Sequence, residues 1–177
     1  MKFKKLCLFS IVIIMLMSCA GIGVKNSSDP DKKLNLAHGA MSQGRFVPAK
    51  RLISEAIEIF KSQNNHKGIA HGYIAYGVLH KWDPKGFNKK IVGASFDLEK
   101  SKSYFKKAIT IFEAEGDSNG QAKGHFGLAN ALRTREACTH YDLAIKKFDP
   151  NGPKFPINRR FKDFPSMVKA FKNEFCK

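Results

Sequence analysis

Residues 56–60 are Ala-Ile-Glu-Ile-Phe, and residues 108–112 are Ala-Ile-Thr-Ile-Phe, at an offset of 52 positions. At the same offset the match continues without a gap into three small residues: Gly68, Ala70 and Gly72 align with Gly120, Ala122 and Gly124. A third, partial copy, Ala-Ile-Lys-Lys-Phe, occupies residues 144–148. Self-similarity at such periods is the sequence signature of stacked repeat proteins.

Each copy ends on a segment with small and large apolar residues at spacing 4, 3, 4, which is one face of an α-helix. The three sets are Ala49, Ile53, Ala56, Phe60; Ser101, Phe105, Ala108, Phe112; and Ala137, Tyr141, Ala144, Phe148. The small residues allow helices to approach closely, and the larger ones fill the space between them. The recurring glycines indicate close packing in the same way. The sequence therefore predicts an all-α fold built from antiparallel helix pairs.

A segment rich in small residues precedes each of these helices, as in Leu36-Ala37, Ile74-Ala75 and Phe126-Gly127. Together the two helices resemble the tetratricopeptide repeat over residues 31–149. The resemblance implies a short α-solenoid of about three helix-turn-helix repeats. Its concave surface would be formed by the first helix of each pair.

A partner protein's extended segment or helix would bind to that concave surface. The resemblance places four residues towards it: His38, Met41, Tyr76 and His80. The leading functional hypothesis is therefore a protein-binding scaffold or assembly factor.

Residues 150–177 are predicted to form a loop and a C-terminal capping helix that opens at Asp163-Phe164-Pro165. Its apolar face consists of three residues at helical spacing: Val168, Phe171 and Phe175. A helix of this kind seals the open end of a repeat stack. If it packs on the third pair, Cys176 can reach Cys138 and form a disulfide. Two free thiols are the alternative, and the spacing alone does not separate the two.

A loop is predicted from Asp83 to Ala94, because this segment contains Pro and Gly and has no helical pattern. Ser95 is the predicted N-cap of the helix that follows. Lys85, Lys89 and Lys90 make this loop a candidate anion-binding site. A surface insertion without a binding role is the alternative.

The chain opens with three lysines and an apolar run from Leu6 to Met17. Crossing a bilayer takes about 20 apolar residues, so this run is too short for a permanent anchor and is typical of a cleaved signal. With Leu16-Met17-Ser18-Cys19 at its end, residues 1–18 resemble a bacterial lipoprotein signal peptide. The resemblance implies that Cys19 is acylated, with palmitate among the chains, and begins the mature protein. Ordinary secretion with an incidental cysteine is the alternative.

Residues 19–30 are small and polar, as in a flexible tether. Ala20 stands where a retention signal of that family would place Asp. In a bacterium with an outer membrane, the resemblance then implies an outer-membrane lipoprotein that faces the periplasm. The expected contact with the membrane is thus made through lipid.

The formal net charge is +16, and it falls to +13 when Lys2, Lys4 and Lys5 leave with the leader. Such a charge favours anionic partners. A location outside the cytoplasm makes nucleic acid the least expected of these anionic partners. The alternative function is thus a basic module that binds an anionic envelope polymer or lipid head groups. Lysines that only keep the helix faces solvated are the alternative explanation of the charge.

Catalytic motifs do not emerge from the sequence. The six histidines show no pair at the i, i+4 spacing of a zinc-binding helix. No nucleophile elbow, glycine-rich phosphate loop or calcium loop is present, and no pair of acidic residues stands out. We therefore expect neither enzymatic activity nor a cofactor or metal ion.

Overall fold

A computed structural model describes residues 27–81, 96–132, 134–153 and 160–176. In these ranges the fold is all-α, which confirms the predicted class, and no strand occurs. The helices are α1 (Pro30–Ser42), α2 (Phe46–Ser62), α3 (His66–Lys81), α4 (Leu98–Ala114), α5 (Ser118–Ala131), α6 (Glu136–Lys147) and α7 (Phe164–Phe175). The predicted signal peptide, Cys19 and the predicted loop over 83–94 lie outside the described residues.

Packing follows the order of the chain. Each helix contacts the next one, and in addition α1 contacts α3 and α3 contacts α5. The helices thus group into the pairs α1–α2, α3–α4 and α5–α6, with α7 on α6. In this arrangement the first helices of successive pairs are neighbours. The curvature of a solenoid stays a prediction.

The helical faces predicted from the 4, 3, 4 spacing form the core. On α2 and α4 every residue of the face is at most 1% exposed: Ala49, Ile53, Ala56, Phe60, Ser101, Phe105, Ala108 and Phe112. Ser101 is the only polar member of that set, and its Oγ donates a hydrogen bond of 2.7 Å to the carbonyl of Gly77. This bond offsets the cost of burying the hydroxyl group.

The turns after α2 and α4 have the same geometry, 52 positions apart. Asn64 (φ 51°) and Gly116 (φ 64°) occupy the left-handed region in these turns. The next residues, Asn65 and Asp117, each accept a 2.8 Å hydrogen bond from the backbone N–H three positions further on. This contact caps the helix that follows. The sequence repeat is therefore also a repeat of backbone structure.

Glycines let α3 and α5 approach the helices that precede them. A Cβ at any of four positions would overlap a large side chain of α2 or α4. The contacts occur in two equivalent sets: Gly68 on Phe60 and Gly72 on Ile57, then Gly120 on Phe112 and Gly124 on Ile109. Glycine is thus required here for the space it leaves.

The start of α4 differs from the prediction. Asp97, not Ser95, precedes the first helical residue and caps the helix, because its carboxylate accepts a 3.0 Å hydrogen bond from the backbone N–H of Lys100. The predicted start of α7 is confirmed. Asp163 and Ser166 form a reciprocal capping box there.

The C-terminal helix α7 packs through three buried residues, Phe164, Met167 and Val168, the most exposed of which is 8% exposed. The predicted apolar face is wrong at its last residue, because Phe175 is 63% exposed. The structure joins Cys138 of α6 to Cys176, with the Cα atoms 5.9 Å apart. The disulfide, together with the 2.6 Å ion pair between Lys172 and Asp142 of α6, therefore holds the end of α7 to the third pair, and Phe175 does not.

Replacing both cysteines with serine (Cys138→Ser, Cys176→Ser) is expected to lower the free energy of unfolding by about 3–4 kcal/mol in the chain-entropy model. The physical reason is that the bond closes a loop across a separation of 38 residues and so restricts the unfolded chain. Urea denaturation measures the loss. Wild-type protein treated with a dithiol serves as the control and should match the variant. Two reactive thiols in untreated, exported protein would contradict the expectation.

Candidate functional site

The first helices of the three pairs bring His38 of α1, His71 of α3 and Lys123 of α5 near one another. His71 is half-buried and His38 is exposed, but nearby protein desolvates both imidazoles in part, and the Lys123 charge adds to this effect. As a result the pKa of His38 lies below its usual value, and the pKa of His71 is lowered to about 4. His71 and Lys123 occupy equivalent positions in the repeat, 52 residues apart. We call the surface marked by His38, His71, Lys81 and Lys123 the first-helix face.

A cavity of about 180 Å³ opens on this face between α3, α5 and α7. Its apolar lining includes residues of all three helices: Ile74, Val78, Phe105 (from α4), Phe126, Phe164 and Met167. The rings of Phe126 and Phe164 meet edge to face, with their centroids 5.7 Å apart. An apolar cavity of about 150 Å³ can hold benzene. The cavity is thus large enough for one aromatic or branched apolar side chain.

Two lysines also line the cavity, Lys81 from the end of α3 and Lys123 from α5. Burial lowers the pKa of both ammonium groups, and for Lys123 the carboxylate of Asp117 acts in the opposite direction. Among the described residues, neither ammonium group makes an ion pair or a hydrogen bond. Two partly buried cations therefore stand beside an apolar cavity. This arrangement suits a ligand that offers an apolar group and an anionic group together.

The structure separates the four residues predicted to face a partner. His38 lies at the surface of the first-helix face. Met41 is only 1% exposed and belongs to the core between α1 and α2. His80 is 6% exposed and its ring stacks on Tyr104 of α4, with the centroids 5.5 Å apart. Tyr76 stacks on the same ring at 4.9 Å.

Met41 and His80 are therefore too buried to form an open binding surface, whereas Tyr76 is partly exposed and its placement there stays a prediction. Tyr76 and His80 are four residues apart and share one stripe of α3, and this stripe faces α4. A different stripe of the same helix, with His71, Ile74 and Lys81, faces the cavity side. Sequence reasoning missed Lys81 and Lys123. The alignment of His71 with Lys123 was the available signal for one of them.

A larger, open groove of about 650 Å³ runs over the solvent side of α4 and includes Lys102, Lys106 and Lys107. Its positive charge is reduced by Glu99, which pairs with Lys102 at 2.5 Å, and by Glu136. Lys107 lies over the ring of Tyr104, 5.6 Å from the centroid. The charges of these lysines are thus partly compensated by groups of the protein itself.

His125 of α5 and His140 of α6 form a pair in which the Nδ1 atoms are 3.0 Å apart and the rings stack. Burial lowers the pKa of both imidazoles, that of His125 to about 4. For His125 the neighbouring His140 and Lys147 add to this effect. For His140, Lys106 adds to it and Glu136 opposes it. The pair thus links the two helices in its neutral form.

In the described ranges, no three side chains of His, Cys, Asp or Glu are grouped so that they could hold a metal ion. No helix there combines the length and the apolar character needed to cross a bilayer. The candidate lipidation site Cys19 and the candidate anion-binding residues Lys85, Lys89 and Lys90 lie outside these ranges.

Comparisons of the chain with protein-family models, with curated proteins and with solved structures found no match.

The folded protein is expected to lose stability as the pH falls from about 6.5 towards 4. The unfolded chain binds a proton at His125 near pH 6.5, whereas the folded protein binds it only near pH 4. The stability that comes from keeping His125 neutral is thus fully present above pH 6.5. It is lost as the pH falls from 6.5 through the folded pKa of about 4. Linkage gives a loss of about 2 kcal/mol between pH 7 and pH 5 for this single group.

Urea denaturation at both pH values measures this loss, and the variant His125→Gln is the control because it removes the titrating group. The variant should lose less stability than the wild type over the same interval. An equal loss in the two proteins would contradict the assignment to His125.

Proposed function

We propose that this protein is a lipid-anchored lipoprotein of the bacterial envelope that binds a partner protein through its first-helix face, as a scaffold or assembly factor. The observation that carries the proposal is the apolar cavity with Lys81 and Lys123 at its edge. Burial disfavours the charged form of both lysines in the free protein. A bound partner can supply the apolar and anionic groups that this site lacks.

The helix packing supports the resemblance to tetratricopeptide repeats that underlies this proposal. Pairs of helices follow one another, and equivalent glycines seat equivalent side chains in two of the pairs. In repeat proteins of this kind the first helices present a groove for a peptide or helix. Three pairs form a short groove, which suits a segment of modest length.

Anchoring through Cys19 would keep the first-helix face near the membrane. Eleven positions separate Cys19 from Pro30, the first residue of α1. A fully extended chain of that length spans at most about 40 Å. One acyl chain binds membranes only weakly, so stable anchoring takes more than one. The partner is thus expected in the periplasm, close to the outer membrane.

Site-specific photo-crosslinking in the native host tests the proposal. Benzoylphenylalanine would replace His38 or His71 on the first-helix face, with Lys50 and Thr110 of the second helices as control positions. We expect the same adduct from both first-helix positions and none from the controls. Adding Lys123→Glu to the His38 variant should abolish the adduct, because it reverses a charge at the cavity. Equal adducts from both faces, or no adduct from the first-helix face, would contradict the proposal.

A further inference from the structure

We infer that the cavity takes one large apolar side chain of the partner segment, and that a carboxylate next to that side chain binds between Lys81 and Lys123. This inference rests on the proposed function and specifies the chemistry of the segment. It commits to an internal Asp or Glu of a partner protein beside an aromatic or branched residue.

The apolar half of the inference follows from the lining of the cavity. Phe126 presents its ring to both Phe164 and Phe171, edge to face in each case. An additional ring can join such an arrangement through the same edge-to-face geometry. Met167 lies beside them, and its flexible thioether adapts to different shapes. These walls therefore favour an aromatic or branched side chain without selecting a single residue type.

The charged half follows from the two lysines. Lys81 and Lys123 come from different helices and line the same cavity. Because the surrounding protein desolvates both ammonium groups, salt screens their interactions less than those of exposed charges. A carboxylate that enters between them would raise both pKa values towards the ordinary value. A neutral amide of the same shape would not, so the site discriminates between acid and amide.

The protein's own acidic groups do not fill this role in the described ranges. Asp117 is near enough to act on the pKa of Lys123, but its carboxylate accepts the backbone N–H of Gly120 at 2.8 Å and caps α5. The neighbouring His71 has a pKa lowered to about 4 and is neutral at pH 7, and the pKa of His38 is lowered in the same direction. The two lysines are therefore the cations that a carboxylate would meet at this cavity.

Peptide binding to the full chain in a mild detergent tests the inference. The probes are acetylated and amidated hexapeptides with an uncharged dye, in which the only carboxylate is a side chain. The first contains Phe-Glu, the second Phe-Gln and the third Ala-Glu, each flanked by Ser and Gly. Fluorescence anisotropy measures the dissociation constants. We expect the Phe-Glu peptide to bind about tenfold more tightly than the Phe-Gln peptide, as for a hydrogen bond to a charged group. We expect a loss of about tenfold or more for the Ala-Glu peptide, because the buried phenyl ring is missing.

Substitutions of lysine test whether the two cavity lysines cause the preference for the acidic peptide. Lys81→Gln together with Lys123→Gln should reduce the preference for Phe-Glu over Phe-Gln to about one, since both cations are gone. Lys107→Gln is the matched control, because Lys107 is an exposed lysine of α4 outside the cavity. Thermal unfolding checks that all variants fold.

Equal binding of the acid and amide peptides, or a preference that survives loss of both cavity lysines, overturns the inference. If the crosslinker at His38 still traps a partner in that case, partner binding stands and only the carboxylate assignment fails.

Discussion

The fold depends on one steric constraint, the seating of a large second-helix side chain against a glycine of the next first helix. Phe60 and Ile57 meet Gly68 and Gly72 in this way, and the same contacts recur 52 positions later. A large side chain of the second helix can come this close to the next helix only where that helix has a glycine, which lacks a Cβ. The positions of the glycines therefore fix how the two helices are aligned along their axes. The turns between these helices each contain one residue in the left-handed region, and they set the direction in which the next helix runs. Together these contacts explain why the sequence repeat is so strict at small residues.

The same constraint builds the cavity. The ring of Phe105 is held between α3 and α5, because Gly77 and Gly127 both leave room for it, and the ring forms part of the cavity wall. Close approach of α3 and α5 also brings Lys81 and Lys123 to one opening. The helix α7 closes the remaining side through Phe164 and Met167, and a disulfide ties its end to α6. The site is thus a consequence of how the pairs pack and how the stack is capped.

The core was predictable from the sequence because burial of one helical stripe leaves a periodic pattern, as in Phe105, Ala108 and Phe112. The sequence did not, however, predict which residues of the first helices are exposed. Which stripe of α3 faces outwards depends on its rotation about its own axis, and this is fixed by contacts such as the stacking of Tyr76 and His80 on Tyr104. The cavity was hidden for a similar reason. The cavity forms only where α7 lies beside α3 and α5, and no local pattern in the sequence indicates that these helices are close together.

A double-mutant cycle on Gly72 and Ile57 tests the central constraint most directly. Gly72→Ala alone should destabilise the protein by about 1–3 kcal/mol through overpacking. Combined with Ile57→Ala, which removes the obstructing side chain, it should cost less than the sum of the single changes, with a coupling of about 0.5–3 kcal/mol. Gly39, where an added Cβ meets nothing within 4 Å, is the control and should be additive with Ile57→Ala. The equivalent cycle on Gly124 and Ile109 should give a coupling of the same sign. Additive changes at both repeats would contradict the account.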